Sequence, residues 1–126
     1  MSTFKVNVVA SNPKSEDCVT VPIEALVDTG SLLTWLPADL LKETGVAPIR
    51  TRVFATANQH RIERKVGYAI LSAEGYETID EVVLAEPGDM TLLGVRTIEG
   101  FGVMVDNIGH RFVATTTLAA TTDTEP

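Results

Sequence analysis

Hydrophobic and polar positions alternate along most of the chain, and the alternation predicts strands. Phe4, Val6 and Val8 alternate with polar or small neighbours, the period-two pattern of a half-buried strand. A turn cluster, Ser11 to Ser15, precedes a second extended run, Val19 to Val27, which ends in Ala25-Leu26-Val27 and delivers the chain to Asp28. From Thr51 to Leu71 the pattern is that of a long hairpin, with Val53 and Phe54 on one arm, Val66, Tyr68 and Ile70 on the other, and polar Asn58-Gln59-His60 between them. Gly75 breaks the next pair of strands, and Ile79 to Ala85 is strongly β-forming. After a turn at Pro87-Gly88-Asp89 comes Leu92-Leu93-Gly94, and Val103–Asp106 with Arg111–Thr116 form a last hairpin around Asn107-Ile108-Gly109. Two short helices interrupt this series. Pro37 to Gly45 has Pro at its start and Gly at its stop, and Val95 to Glu99 has room for one or two turns. The pattern is that of a mostly β, single-domain chain over residues 1–118, followed by a polar tail, 119–126, expected to be disordered.

Size and charge narrow the functional classes. The chain has 126 residues, enough for one ordinary domain, and its 44% hydrophobic content supports a packed core. A formal net charge of −7 with scattered Lys and Arg argues against nucleic acid as a partner. The short cluster Arg61-Ile62-Glu63-Arg64-Lys65 is interrupted by Glu63 and is expected to be the solvated face of the hairpin. Cys18 is the sole cysteine, which rules out an intramolecular disulfide and zinc-cluster motifs. The amino terminus lacks the continuous apolar run of a signal peptide, and no stretch approaches the length needed to cross a bilayer, so no membrane partner and a cytoplasmic location are expected.

Candidate chemistry centres on Asp28-Thr29-Gly30-Ser31, set between apolar Ala25-Leu26-Val27 and Leu32-Leu33. A carboxylate at the end of a buried strand is costly unless donors satisfy it. Gly30 permits backbone N–H groups to approach the carboxylate, and Thr29 offers a hydroxyl to lock the loop. A plain turn is the alternative at this level, because all three are good turn residues. Ser31 has no neighbouring His to activate it as a nucleophile, and its position suggests a hydrogen bond near the carboxylates. His60 and His110 fall in separate turns with no clustered ligands, so no metal site and no cofactor are expected. Trp35 is expected to serve core packing or to line a groove, and Gly100-Phe101-Gly102 to be a turn after the second helix.

The run Val27 to Pro37 resembles the active-site segment of pepsin-like and retropepsin-like aspartic proteases, in which Asp-Thr-Gly-Ser is followed at matching spacing by Trp, an aliphatic residue and Pro. Leu92-Leu93-Gly94 matches a second hallmark of that family. The order of features over residues 3 to 118 is most similar to the small bacterial and archaeal retropepsin-like proteins.

The resemblance implies an all-β, retropepsin-like closed barrel with one or two short helices. It implies Asp28 as the catalytic residue, with Thr29, Gly30, Ser31, Leu92, Leu93 and Gly94 supporting the active-site loop. Residues 56 to 62 would be a flap over the substrate, with Thr56, Ala57, Asn58, Gln59 and His60 at its tip. Asn58 is the tip residue best suited to left-handed geometry, since the glycine common in family flaps is absent.

The chemistry needs two carboxylates sharing a proton, and the chain carries one Asp-Thr-Gly. Asp80, Asp89 and Asp106 lack that context and are set aside as a second acid. A homodimer that pairs two copies of Asp28, acting on a peptide or protein substrate through a pocket lined by Leu32, Leu33, Val53 and Ile62, is therefore the expected working form. Arg96 is expected to meet a carboxylate near the site, across the dimer, or at the surface. The alternatives are a catalytically silent retropepsin-fold module that dimerises or binds peptides, and a plain β interaction protein in which Asp28-Thr29-Gly30 is only a turn.

Overall fold

The computed structural model describes residues 3–116, so the polar tail beyond residue 118 lies outside the described residues. The chain begins with β1 (Lys5–Asn12), whose inward residues Val6, Val8 and Ala10 are buried. β1 divides its edge among three partners. Lys5–Val8 pair with β3 (Ile23–Val27), Val9–Ser11 pair with β6 (Arg61–Ala73), and the end of the strand pairs with β2 (Ser15–Val19).

The single extended run expected over 19–27 is thus two strands. Thr20 stitches the break, donating its N–H to Ala10 O and accepting from Ala10 N through its hydroxyl. Two residues on, Pro22 has no N–H to offer a ladder, and the chain swings from the β1 end to β3.

Six strands close a ring in the order β1-β3-β8-β4-β7-β6, with the β1–β6 pairing completing it, while β2 and β5 (Arg50–Ala55) extend from it as edges. β7 (Tyr76–Ala85) follows β6 through Glu74 and Gly75, both at positive φ, as a two-residue hairpin turn of the mirror-image type requires. β4 (Thr34–Pro37) was not foreseen as a strand. It runs parallel to β7 and antiparallel to β8 (Leu92–Leu93), burying Thr34 and Leu36 and leaving Trp35 half-exposed. Closing the ring around one interior encloses the main apolar core, including Val8, Leu36, Leu71, Val82 and Leu93.

Both helices form, with revised ends. α1 (Ala38–Glu43) starts one residue after Pro37 and stops at Gly45, where φ is +82°. Gly45 N donates to Lys42 O and Val46 N to Leu41 O, which satisfies the last carbonyls, and Leu41 and Val46 are buried together. α2 (Val95–Phe101) is longer than expected. Gly100 and Phe101 belong to the helix, and only Gly102, at φ +75°, turns the chain. A Cβ on Gly100 would stand 2.5 Å from Thr78 Oγ1, so this glycine lets the helix lie close on β7. Outside the ring, β9 (Val103–Asp106) and β10 (Arg111–Ala114) pair as a separate hairpin whose Phe112 packs into the main core. Among the described residues no helix is long and apolar enough to cross a membrane.

Candidate active site

Asp28 leaves the end of β3 where that strand runs parallel to β8. Leu26 pairs with Leu92 and Val27 with Leu93, and Asp28 N donates to Leu93 O at 3.0 Å. β8 lies between β3 and β4, so the connecting loop, residues 28–33, must pass over its end. Gly94 sits beneath that loop. A Cβ there would meet Leu33 O at 2.4 Å and Ser31 O at 2.9 Å, a backbone approach that only glycine permits.

The loop in turn caps α2. Ser31 O accepts from Val95 N at 2.8 Å and Leu32 O from Arg96 N at 3.1 Å, which satisfies two of the donors that a helix start leaves unpaired. Within the loop, Gly30 N donates to Asp28 Oδ1 at 2.9 Å and Ser31 N to Asp28 O at 3.1 Å. One carboxylate oxygen is thereby fixed by the backbone, while Oδ2 has no protein partner among the described residues. The Ser31 hydroxyl donates to Leu33 O rather than to Asp28. Thr29 is exposed and makes no hydrogen bond within the described residues.

A buried chain of hydroxyls ties this loop to the ring. Gly94 N donates to Thr34 Oγ1 at 2.9 Å, Thr34 and Thr97 share a 2.6 Å hydrogen bond, and Thr97 donates to Asp80 Oδ2 at 2.9 Å. Because the Thr97 proton is committed to Asp80, Thr34 must be the donor to Thr97, and the whole chain has one direction. Thr34 and Thr97 are both fully buried. Thr34→Val keeps the shape but strands Gly94 N and the Thr97 acceptor, so a loss of about 2 kcal/mol is expected. Thermal melts of Thr34→Val, Thr97→Val and the double variant should show less-than-additive losses.

Above the loop lies a cavity of about 730 Å³. Asp28, Gly30 and Ser31 line it from one side, and Thr56 and Ala57 from the β5–β6 connection; Leu32, Leu33, Ile62 and Leu92 add apolar surface. Leu93 and Gly94 support from below. Asn58, Gln59 and His60 are exposed at the turn and do not line the cavity. The turn is pinched by Thr56 N donating to His60 O and Gln59 N to Thr56 O. Gln59, not Asn58, takes the left-handed conformation, at φ 65°.

Val53 also departs from expectation. It alternates with Arg52 and Phe54 along β5, so it faces away from the cavity and is exposed. Trp35 serves both expected roles, packing on Phe54 in a tilted contact at 5.0 Å between ring centroids, against the small buried cluster of Leu33, Val66 and Val83, while lining the cavity.

Asp80, Asp106, Arg96 and Arg64 are committed elsewhere. Asp80 ends the threonine chain, and Asp106 holds its own turn by accepting from Ile108 N and Gly109 N. Arg96 pairs within its own chain, with Glu81 at 3.4 Å and Asp80 at 3.5 Å. Arg64, expected on a solvated face, is instead mostly buried, giving Asp89 a bidentate pair at 2.6 and 2.8 Å that ties β6 to the 86–91 loop at the cavity rim. This pair was invisible to local pattern because its partners stand 25 residues apart. Among the described residues no group of His, Cys, Asp and Glu is arranged to hold a metal ion.

Hydrogen bonding from Arg64 holds the Asp89 carboxyl below its ordinary value of 3.8. A depressed folded value means that the pair's stabilisation is present above the unfolded value and is lost as pH falls from there through the folded value. Asp89→Asn is therefore expected to cost about 2 kcal/mol near neutrality. Urea melts against pH should show its gap to the parent closing only below pH 3.8.

The architecture matches that of solved foamy virus proteases. The solution structure of simian foamy virus (mac) protease superposes with a TM-score of 0.52 over 76% of this chain and 92% of that one, at 21% identity. The fold is retropepsin-like. The foamy viral protease-reverse transcriptase, solved in complex with double-stranded DNA, matches with a TM-score of 0.50 over 74% of this chain and 14% of its own, at 22% identity. A retropepsin-like aspartic protease from Rickettsia conorii matches with a TM-score of 0.47 over 82% of this chain and 84% of that one, at 24% identity. No protein-family profile and no curated protein sequence matches the chain.

Proposed function

We propose that the chain is one half of an aspartic endopeptidase, working as a two-fold homodimer in which two copies of Asp28 form the catalytic dyad. The observation that carries this reading is the setting of Asp28. It is a carboxylate with one oxygen held by Gly30 N and the other unpaired among the described residues, on a loop anchored to β8 and α2, opening into the 730 Å³ cavity of a retropepsin-like fold. The other carboxylate in that cavity, Asp89, is neutralised by Arg64 and cannot serve as the second acid.

Two carboxylates brought within hydrogen-bonding distance share one proton, because both cannot ionise at that separation. The ionised member takes a proton from water as the oxygen attacks the peptide carbonyl. The protonated member donates to the carbonyl oxygen, and collapse of the tetrahedral species returns a proton to the departing amine. One Asp28 cannot fill both roles, and the symmetric partner supplies the second. The exposed Thr29 hydroxyl, unbonded among the described residues, is available to the partner's loop. The turn at Thr56–His60 covers bound peptide and supplies backbone donors and acceptors.

The test joins mass to turnover. Sedimentation should give twice the 13.5 kDa chain mass, and a peptide library incubated between about pH 4 and 7 should be cut and protected by a pepstatin-type inhibitor. A monomer at concentrations that cleave peptide would overturn the shared dyad. A dimer that binds peptides and cuts none would leave a peptide-binding module.

A further inference from the structure

Among the described residues, Arg52 is the one charged group of the cavity wall, apart from Asp28, whose bonding is unfinished. Its Nη1 donates to both oxygens of Glu81, at 3.0 and 3.1 Å. Its Nε and Nη2 donate to nothing among the described residues, although the side chain is 31% exposed and lines the cavity. The Nε–H and one Nη2–H of a guanidinium point the same way, at the spacing of the two oxygens of a carboxylate. Here that edge is left open by a protein that has fixed the rest of the group.

The surroundings fix the guanidinium and leave it charged. Glu81 is almost fully buried and is shared by Arg50 at 2.9 Å, Arg52 and Arg96. Burial alone would push the Glu81 carboxyl up, but hydrogen bonds from Arg50 and Arg52 outweigh it and hold it low, so it stays ionised as an anchor. Three arginines, Arg50, Arg52 and Arg96, face two carboxylates, Asp80 and Glu81, which leaves one positive charge over. The Arg52 guanidinium carbon lies 5.9 Å from the Phe54 ring centroid, and Phe54 packs on Trp35. These rings keep bulk water from one side and strengthen any ion pair made there.

We propose that Arg52 forms a carboxylate-binding subsite, so that the peptides taken into this cleft carry Asp or Glu at one position near the scissile bond. The proposal rests on the peptide-cutting reading for its substrate class and changes the expected specificity, since the wall is not uniformly apolar. With a chain charge of −7, long-range attraction cannot supply such a preference. It must come from contact, and must therefore be confined to one position.

Matched peptides differing only by Glu or Gln at each position test this, in a cleavable form and in an uncleavable form with a reduced scissile bond. At one position Glu should be favoured by about tenfold or more, in binding and in kcat/KM. Arg52→Gln should bring that ratio to near one, and Arg52→Lys should keep part of it. Arg52→Gln also leaves Glu81 one partner short, so the double variant Arg52→Gln with Glu81→Gln is measured beside it and should show the same lost ratio. A Glu-to-Gln ratio near one at every position, or a preference unchanged in Arg52→Gln, overturns the subsite. Discrimination in binding with no cleavage of any peptide supports the subsite and overturns the peptidase reading alone. Cleavage without discrimination does the reverse.

Discussion

Asp28→Asn is expected to leave the barrel and the dimer intact while lowering peptide cleavage by at least about 10³-fold, the scale of general acid–base groups that act in both halves of the reaction. Asn keeps the size of the side chain and an oxygen to accept from Gly30 N, so circular dichroism, melting temperature and sedimentation should be close to the parent's. What is lost is the carboxyl group that takes up and releases a proton.

The shared dyad sharpens the expectation. When parent and variant subunits are refolded together in equal amounts, random pairing leaves about a quarter of the dimers with two aspartates. Cleavage should then fall to about half of what the same quantity of parent subunit gives alone. An enzyme whose chains worked independently would keep all of it. Activity that survives in Asp28→Asn, or mixed samples that lose nothing, would remove Asp28 or the dimer from the mechanism.

Gly94→Ala is the substitution expected to damage the fold most. Gly94 has an ordinary φ of −92°, so its need for glycine is a matter of space. The added methyl group would press on the carbonyls of Leu33 and Ser31, which are backbone and cannot rotate away as a side chain would. Overpacking of this kind costs about 3 kcal/mol, and here the relief would lift the 28–33 loop off α2. A drop in melting temperature of about 10 °C or more is expected for a domain of this size. Residual folded protein should be inactive, because Asp28 rides on the displaced loop. A variant as stable as the parent would show that the loop yields more easily than the geometry implies.

The parts of this structure that could be read from sequence are those that local pattern encodes. Val6, Val8 and Ala10 face the core by simple alternation, and the Pro37 and Gly45 boundaries of α1 follow from backbone chemistry that needs no partner. Asp28-Thr29-Gly30 was legible through its resemblance to a known family. What could not be read is what distant residues supply. Thr34 looks like a polar break in an apolar run, and β4 was missed for that reason. Its hydroxyl is affordable in the interior only because Gly94 and Thr97, 60 and 63 residues away, complete its hydrogen bonds. The burial of Arg64 has the same cause, since its carboxylate partner comes from another loop. At the β5–β6 turn, propensity favoured Asn58 for the left-handed position. The strand register and the Thr56–His60 pinch place Gln59 there instead.

The insertion of β8 between β3 and β4 also sets an order of events. The aspartate loop is made early in the chain, yet its anchors at Leu93, Gly94 and Val95 arrive only after β5, β6 and β7 have been laid down. Contacts of such long sequence separation form late and slowly, because a large loop must close before they are rewarded. During synthesis, a chain that has emerged only as far as β7 holds Asp28 on an untethered segment. On the proposed function, catalytic competence is expected only after these anchors form.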